Sequence, residues 1–144
     1  MTVFRSALLA MSLALAHPAF AAEGISVTDA YARFLPGAKA GAAFMVIENH
    51  QTDDDRLLAA KSDVSDLAEL HTHKMSADGM AQMLPIEGGI AIASGGHHEL
   101  ARGADHVMFM GLKGKVEDGQ VITLTLTFEK AGDVVVEVPV DNHR

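Results

Sequence analysis

Val121-Ile122-Thr123-Leu124-Thr125-Leu126-Thr127-Phe128 alternates side chains in strict period two. Ile122, Leu124, Leu126 and Phe128 fall on one face, Val121 and the three threonines on the other, which is the pattern of a half-buried strand. Glu129-Lys130-Ala131-Gly132-Asp133 then reads as a hairpin connection, and residues 134–140 return as the partner strand. Working outward, residues 25–33, 42–48, 56–62, 67–75, 80–86, 96–100 and 106–112 are further strand candidates. Pro36-Gly37, Asp53-Asp54-Asp55, Asp78-Gly79, Gly88-Gly89 and Asp118-Gly119 separate them as turn signals. Residues 63–67 fit one helical turn, and no amphipathic helix stands out. Short strands at this spacing predict an all-β antiparallel sandwich or barrel.

The chain has 144 residues, enough for one domain with a single core. Its formal net charge of −8 sets it against phosphate backbones and anionic lipid surfaces, so nucleic acid is not expected as a partner and cations are. The count of zero cysteines excludes thiolate nucleophiles, disulfide exchange, thiolate zinc sites and a blue-copper centre with its Cys ligand.

Residues 1–21 read as an address. Arg5 precedes an apolar run over residues 7–16, and Ala19-Phe20-Ala21 supplies small residues where a signal peptidase cuts. The run is too short for a permanent membrane anchor. The expectation is a cleaved signal peptide over 1–21 and one domain over 22–144, exported to the periplasm without a membrane anchor. Packing must hold that domain, because no disulfide is available. A monomer is expected.

Chemistry concentrates in two segments. In His71-Thr72-His73-Lys74-Met75, alternate residues share a face, and the chain continues through Asp78-Gly79 into Met80-Ala81-Gln82-Met83 as an antiparallel hairpin. In His106-Val107-Met108-Phe109-Met110, Val107 and Phe109 point to the core while His106, Met108 and Met110 share the opposite face. Thioethers beside an imidazole on an outward face are unusual, since Met normally fills core gaps. A thioether is soft and uncharged, so it binds Ca²⁺ and Mg²⁺ poorly and suits zinc less than thiolate or imidazole does. Mixed thioether and imidazole donors suit Cu(I), and Met avoids the oxidation that thiolates risk outside the cytoplasm. Imidazole suits Cu(II) as well, so His71, His73 and His106 leave that oxidation state open.

His71, eleven residues, Met83, twenty-two residues and then His106-Val107-Met108 resembles the signature of the PCuAC family of periplasmic copper chaperones. That signature is a His, a Met about ten residues on, and a His-X-Met about twenty-one further. The extra residue in each gap falls at Asp78-Gly79 and Gly88-Gly89, turns that tolerate insertion. Ala68-Glu69-Leu70-His71, Pro85-Ile86-Glu87-Gly88, Met110-Gly111-Leu112 and the closing strands extend the likeness over nearly the whole domain. The resemblance implies a cupredoxin-like Greek-key β-sandwich without the blue-copper Cys and one exposed Cu(I) site. It also implies delivery of copper to a partner such as the CuA centre of cytochrome c oxidase or a Sco-type protein. Carried over residue by residue, the ligands are His71, Met83, His106 and Met108. Tyr31 stands where the family often has Trp, and Asp141-Asn142-His143-Arg144 offers no His/Met-rich tail for a second copper.

His73 reads either as an alternate or Cu(II) ligand or as a solvated strand residue. Met75 and Met80 flank the hairpin turn, to guide copper, shield it or simply pack. Met110 is placed in support behind the ligands or in packing, Met45 in the core, and His97 and His98 on opposite faces. Asp53-Asp54-Asp55 lacks the alternating ligand spacing of a calcium loop and reads as a solvated turn. The leading expectation is a copper carrier, not an enzyme. A copper oxygenase needs a mature N-terminal His, whereas the expected cleavage leaves Ala22 or Glu23 first, and neither a Ser-His-Asp nor a paired-carboxylate set stands out. The alternatives are an envelope scavenger binding Cu(II) or zinc through His alone, and a metal-free interaction module.

Overall fold

The computed structural model describes residues 24–144 together with the backbone of residues 20–22, and none of the described residues is helical. The strands are β1 (Phe20–Ala22), β2 (Ile25–Arg33), β3 (Ala40–Asn49), β4 (Asp55–Ser62), β5 (Ser65–Met75) and β6 (Ala81–Pro85). They continue with β7 (Ile90–Ile92), β8 (His97–Leu100), β9 (His106–Leu112), β10 (Val121–Phe128) and β11 (Gly132–Pro139). The ladder runs β1-β2-β3-β9-β5-β4-β10-β11, with β6 on β5, β7 on β4 and β8 on β3. Strand β9 returns between β3 and β5, and β10 returns beside β4, the crossovers of a Greek key. A parallel bridge from Ala32 to Val140 brings the two ends of the sheet together, so the sandwich is one sheet nearly closed on itself.

The expected all-β antiparallel architecture therefore holds, because the period-two pattern is obeyed on strand after strand. Ile122, Leu124, Leu126 and Phe128 of β10 and Val134, Val136 and Val138 of β11 are all buried, packed with Ile25, Ile47, Leu57, Val107 and Phe109. A fully buried side chain of this size contributes about 2 kcal/mol relative to exposure.

Three local readings need correction. Residues 63–67 form no helical turn. Asp63 N donates to Thr123 O and Lys113 N donates to Val64 O, so neighbouring segments take the backbone groups a helix would have used. The β10–β11 connection is shorter than expected, with Gly132 already paired to Phe128 at a φ of 75°. Asp55 is not part of a solvated turn. It is 3% exposed at the start of β4, where it accepts N–H donors from Arg56, Lys130, Ala131 and Gln51. Strand β7 escaped the sequence reading because its three residues are too few to display a period. The expected signal peptide lies outside the described residues except for its last two positions, which fall in β1 and pair with β2.

Candidate metal centre

Register assembles the centre. Strands β5 and β9 pair so that His71 faces His106, Glu69 faces Met108 and Leu67 faces Met110. The alternate residues Ala68, Leu70, Val107 and Phe109 are buried in the core. On the far edge of β5, His73 faces Met83 and His71 faces Pro85 across the β5–β6 hairpin. On the far edge of β9, Ala42 of β3 faces Met108. Direct antiparallel partners share a face. His71, His73, Met83, His106 and Met108 therefore emerge together on the outer side of the sheet, over a small Ala42.

An aromatic row walls one end. The Phe44 ring centroid lies 6.2 Å from that of His106, and Tyr31 lies 5.1 Å from Phe44. Tyr31 reaches this face because β2 shifts register between Thr28 and Tyr31, with Asp29 at a φ of 51°. A one-residue bulge exchanges the two faces of a strand, sending Ala32 inward and Tyr31 outward.

The imidazoles are sunk and one thioether is not. His106 is 2% exposed, His71 7% and Met83 51%. The resemblance implied an exposed site, whereas here only the Met83 side is open. Two adjoining cavities meet at the centre. One, of about 530 Å³, is lined by His73, Met83, His106, Phe44 and Arg102 among others. The other, of about 300 Å³, is lined by Met83, His106 and Met108 with Phe44 and Arg33. A cavity of about 570 Å³ between residues 34–39 and the 111–116 segment contains none of the expected ligands.

Hydrogen bonds assign the lone pairs. His106 Nδ1 lies 3.0 Å from the Ala104 carbonyl oxygen, which can only accept, so Nδ1 carries the proton and Nε2 keeps its lone pair. His71 Nε2 lies 3.1 Å from Glu69 Oε2, and Nδ1 is buried with no hydrogen-bond partner. If Nε2–H donates to the carboxylate, the Nδ1 lone pair is free. An orphaned buried acceptor costs about 1–3 kcal/mol, and a cation would satisfy it. The carboxylate–histidine arrangement is the one that orients metal-ligating imidazoles. Burial is the main reason the His106 pKa lies below its ordinary value, with His73 and His71 adding to it against the Ala104 bond. A neutral imidazole is what a metal needs. Among the described residues no three His, Cys, Asp or Glu side chains form a metal cluster of their own. The thioethers of Met83 and Met108 stand on the same face as these imidazoles, and a mixed thioether and imidazole set suits a soft cation.

The structure thus brings His73, Met83, His106 and Met108 to the paired cavities and sets His71 beside them as the cross-strand partner of His106. Met75 and Met80 stay exposed at the hairpin tip, away from both cavities, and Met110 faces Ala40 and Leu67 one strand step further on. Met45 is core, as expected. His98 lies 2.9 Å from Asp105, while His97 on the other face is exposed. The sequence reading missed the roles of Glu69, Phe44 and Ala104. Glu69 was legible two residues before His71 on the same strand face; nothing local marked the other two.

Comparison with known proteins agrees with this architecture. Residues 25–140 match the model of the LpqE-like family, described as "Putative lipoprotein LpqE-like". "Putative lipoprotein Lxx21020" of Leifsonia xyli subsp. xyli (strain CTCB07) is 32% identical over 123 residues, covering 85% of this chain and 73% of that one. The copper-bound PCuAC domain from PmoF2 superposes with a TM-score of 0.71 at 22% identity, covering 87% of this chain and 98% of that one. The apo PCuAC domain from PmoF1 gives 0.73 at 24% identity, over 86% and 98%. The CuI-DR1885 solution structure from Deinococcus radiodurans gives 0.62 at 27% identity, over 81% and 79%. With a family model spanning all but its ends and PCuAC domains as structural neighbours, the chain belongs to the LpqE-like family, a PCuAC-type family.

Proposed function

We propose that this protein is an exported copper chaperone that binds Cu(I) through His71, Met83, His106 and Met108. It passes the ion to a recipient such as the CuA centre of cytochrome c oxidase or a Sco-type protein. The observation that carries the reading is the pair of buried imidazoles, His71 with an orphaned Nδ1 and His106 with Nδ1 engaged by Ala104 and Nε2 left over, on the face that presents two thioethers. The copper-bound PCuAC relatives and the lipoprotein name of the curated relative support copper as cargo and the cell envelope as location. The protein works there as a monomer in the periplasm after signal cleavage, as a carrier rather than an enzyme. A carrier needs ligands that can be exchanged one at a time, and Met83 on the open side meets that need.

A Cu(I) competition titration against a chromophoric chelator, under reducing anaerobic conditions, tests the proposal. One copper per chain is expected, held with nanomolar or tighter affinity and lost on joint Met83→Leu and Met108→Leu substitution. Absence of competition would overturn the reading in favour of a metal-free module. Retention of tight binding in the double variant would favour a His-only scavenger of Cu(II) or zinc.

A further inference from the structure

We infer that His73 is a copper-exchange ligand, forming with Met83 and His106 an outer copper position through which the ion enters and leaves the inner one; the inference rests on the Cu(I) reading above. Met83 and His106 line both cavities, whereas His73 lines only the larger and Met108 only the smaller. Two donors are therefore common to both positions, and a third is different in each. The His73 ring centroid lies 5.3 Å from that of His106, against 6.1 Å for His71 and His106. A metal–nitrogen bond of about 2 Å puts the ion about 3 Å from a ring centroid, so two imidazoles sharing it stand roughly 4.5–6 Å apart. The His73–His106 pair at 5.3 Å falls inside that range, and the His71–His106 pair at 6.1 Å lies just beyond its upper end.

The two histidines of β5 are held differently. His71 is buried and tied to Glu69, while His73 is half-buried, opposite the exposed Met83, and no hydrogen bond holds its ring among the described residues. An untethered donor on the open side can meet an arriving ion and release it again. In loading, Cu(I) on His73, Met83 and His106 moves inward as the Cu–S bond to Met108 forms and the Cu–N bond to His73 breaks, and His71 completes the set. Copper remains Cu(I), no electron moves, and His71 and Met108 supply the lone pairs that replace that of His73. Unloading is the reverse.

Stopped-flow exchange of Cu(I) between the full chain and bicinchoninate tests this, comparing the unsubstituted protein with His73→Gln and His73→Met. In His73→Gln the exchange rate constant should fall about tenfold further than the equilibrium affinity does, in loading and unloading alike. His73→Met restores a neutral donor and should recover at least about a third of the original rate. His73→Ser serves the same comparison if glutamine perturbs the hairpin. A rate loss no greater than the affinity loss, or a His73→Met variant as slow as His73→Gln, overturns the role of His73 while leaving the chaperone reading intact. Failure of the unsubstituted protein to bind Cu(I) overturns both.

Discussion

His71 and His106 are direct cross-strand partners of β5 and β9, with ring centroids 6.1 Å apart, although 34 residues of chain lie between them. Each imidazole has one nitrogen engaged by a neighbouring oxygen, Glu69 for His71 and Ala104 for His106, and one nitrogen left over. The protein has fixed the orientation of both rings without using the lone pairs that a metal requires. Four consequences of this arrangement and of the scaffold beneath it can be measured.

Glu69→Ala removes the carboxylate that orients His71. Loss of such an outer hydrogen bond typically lowers metal affinity at least about tenfold. The competition titration should register that loss, with little change in apo melting temperature because Glu69 is partly exposed. Unchanged affinity would remove Glu69 from the account.

Met108→Leu nearly conserves volume, so the fold should survive at a cost below about 1.5 kcal/mol. Cu(I) affinity should nonetheless fall more than about tenfold, or about 1.4 kcal/mol. The stabilisation that saturating Cu(I) gives in thermal melts should shrink correspondingly. Equal affinity would exclude the thioether as a ligand.

Asp55→Asn tests the buried carboxylate that joins β4 to the β10–β11 turn. Burial by itself raises the Asp55 pKa, but N–H donors from Gln51, Lys130, Arg56 and Ala131 outweigh it and hold the carboxyl below its ordinary value. A pKa lower in the folded than in the unfolded chain means that the unfolded state binds more protons in acid. The stabilisation is thus complete above the ordinary carboxylate pKa and is lost as pH falls through the lower, folded value. Urea unfolding near neutral pH should show a loss of about 3 kcal/mol in Asp55→Asn. The gap from the unsubstituted protein should narrow in acid. A gap independent of pH would contradict the assignment.

Gly41→Ala probes the floor beneath the centre. A Cβ at Gly41 would run into the ring of Phe34, which stacks at 5.3 Å on Phe109, the residue between Met108 and Met110, and would come within 2.9 Å of the Arg33 carbonyl oxygen. Overpacking of this kind costs about 1–3 kcal/mol. Thermal melting should show the loss, and a neutral result would mean that both the Phe34 ring and the Arg33 backbone can give way.

Much of this was legible residue by residue. Strands β2 and β9 span the residues read as strands, 25–33 and 106–112, and Val107 and Phe109 point inward as period two demands. Period two also placed His106 and Met108 on one face and His71 and His73 on another before any pairing was known. The misreadings share a cause. The Asp53-Asp54-Asp55 run looks like water-exposed turn chemistry, and only distant N–H donors from Lys130 and Ala131 draw its last member inside. Residues 63–67 look like a helical turn until neighbouring segments claim their backbone groups.

The sequence by itself determined the all-β class, the hairpin at Asp78-Gly79 and the soft character of the donors, because side-chain alternation and ligand chemistry are local properties. Tertiary structure decided which donors meet. Strand register sets His71 against His106 and His73 against Met83, and burial empties the space around the imidazoles of other hydrogen-bond partners. A bulge at Asp29 turns Tyr31 to the wall of the centre. Register and burial depend on contacts between residues far apart in the chain, and no window of sequence contains them.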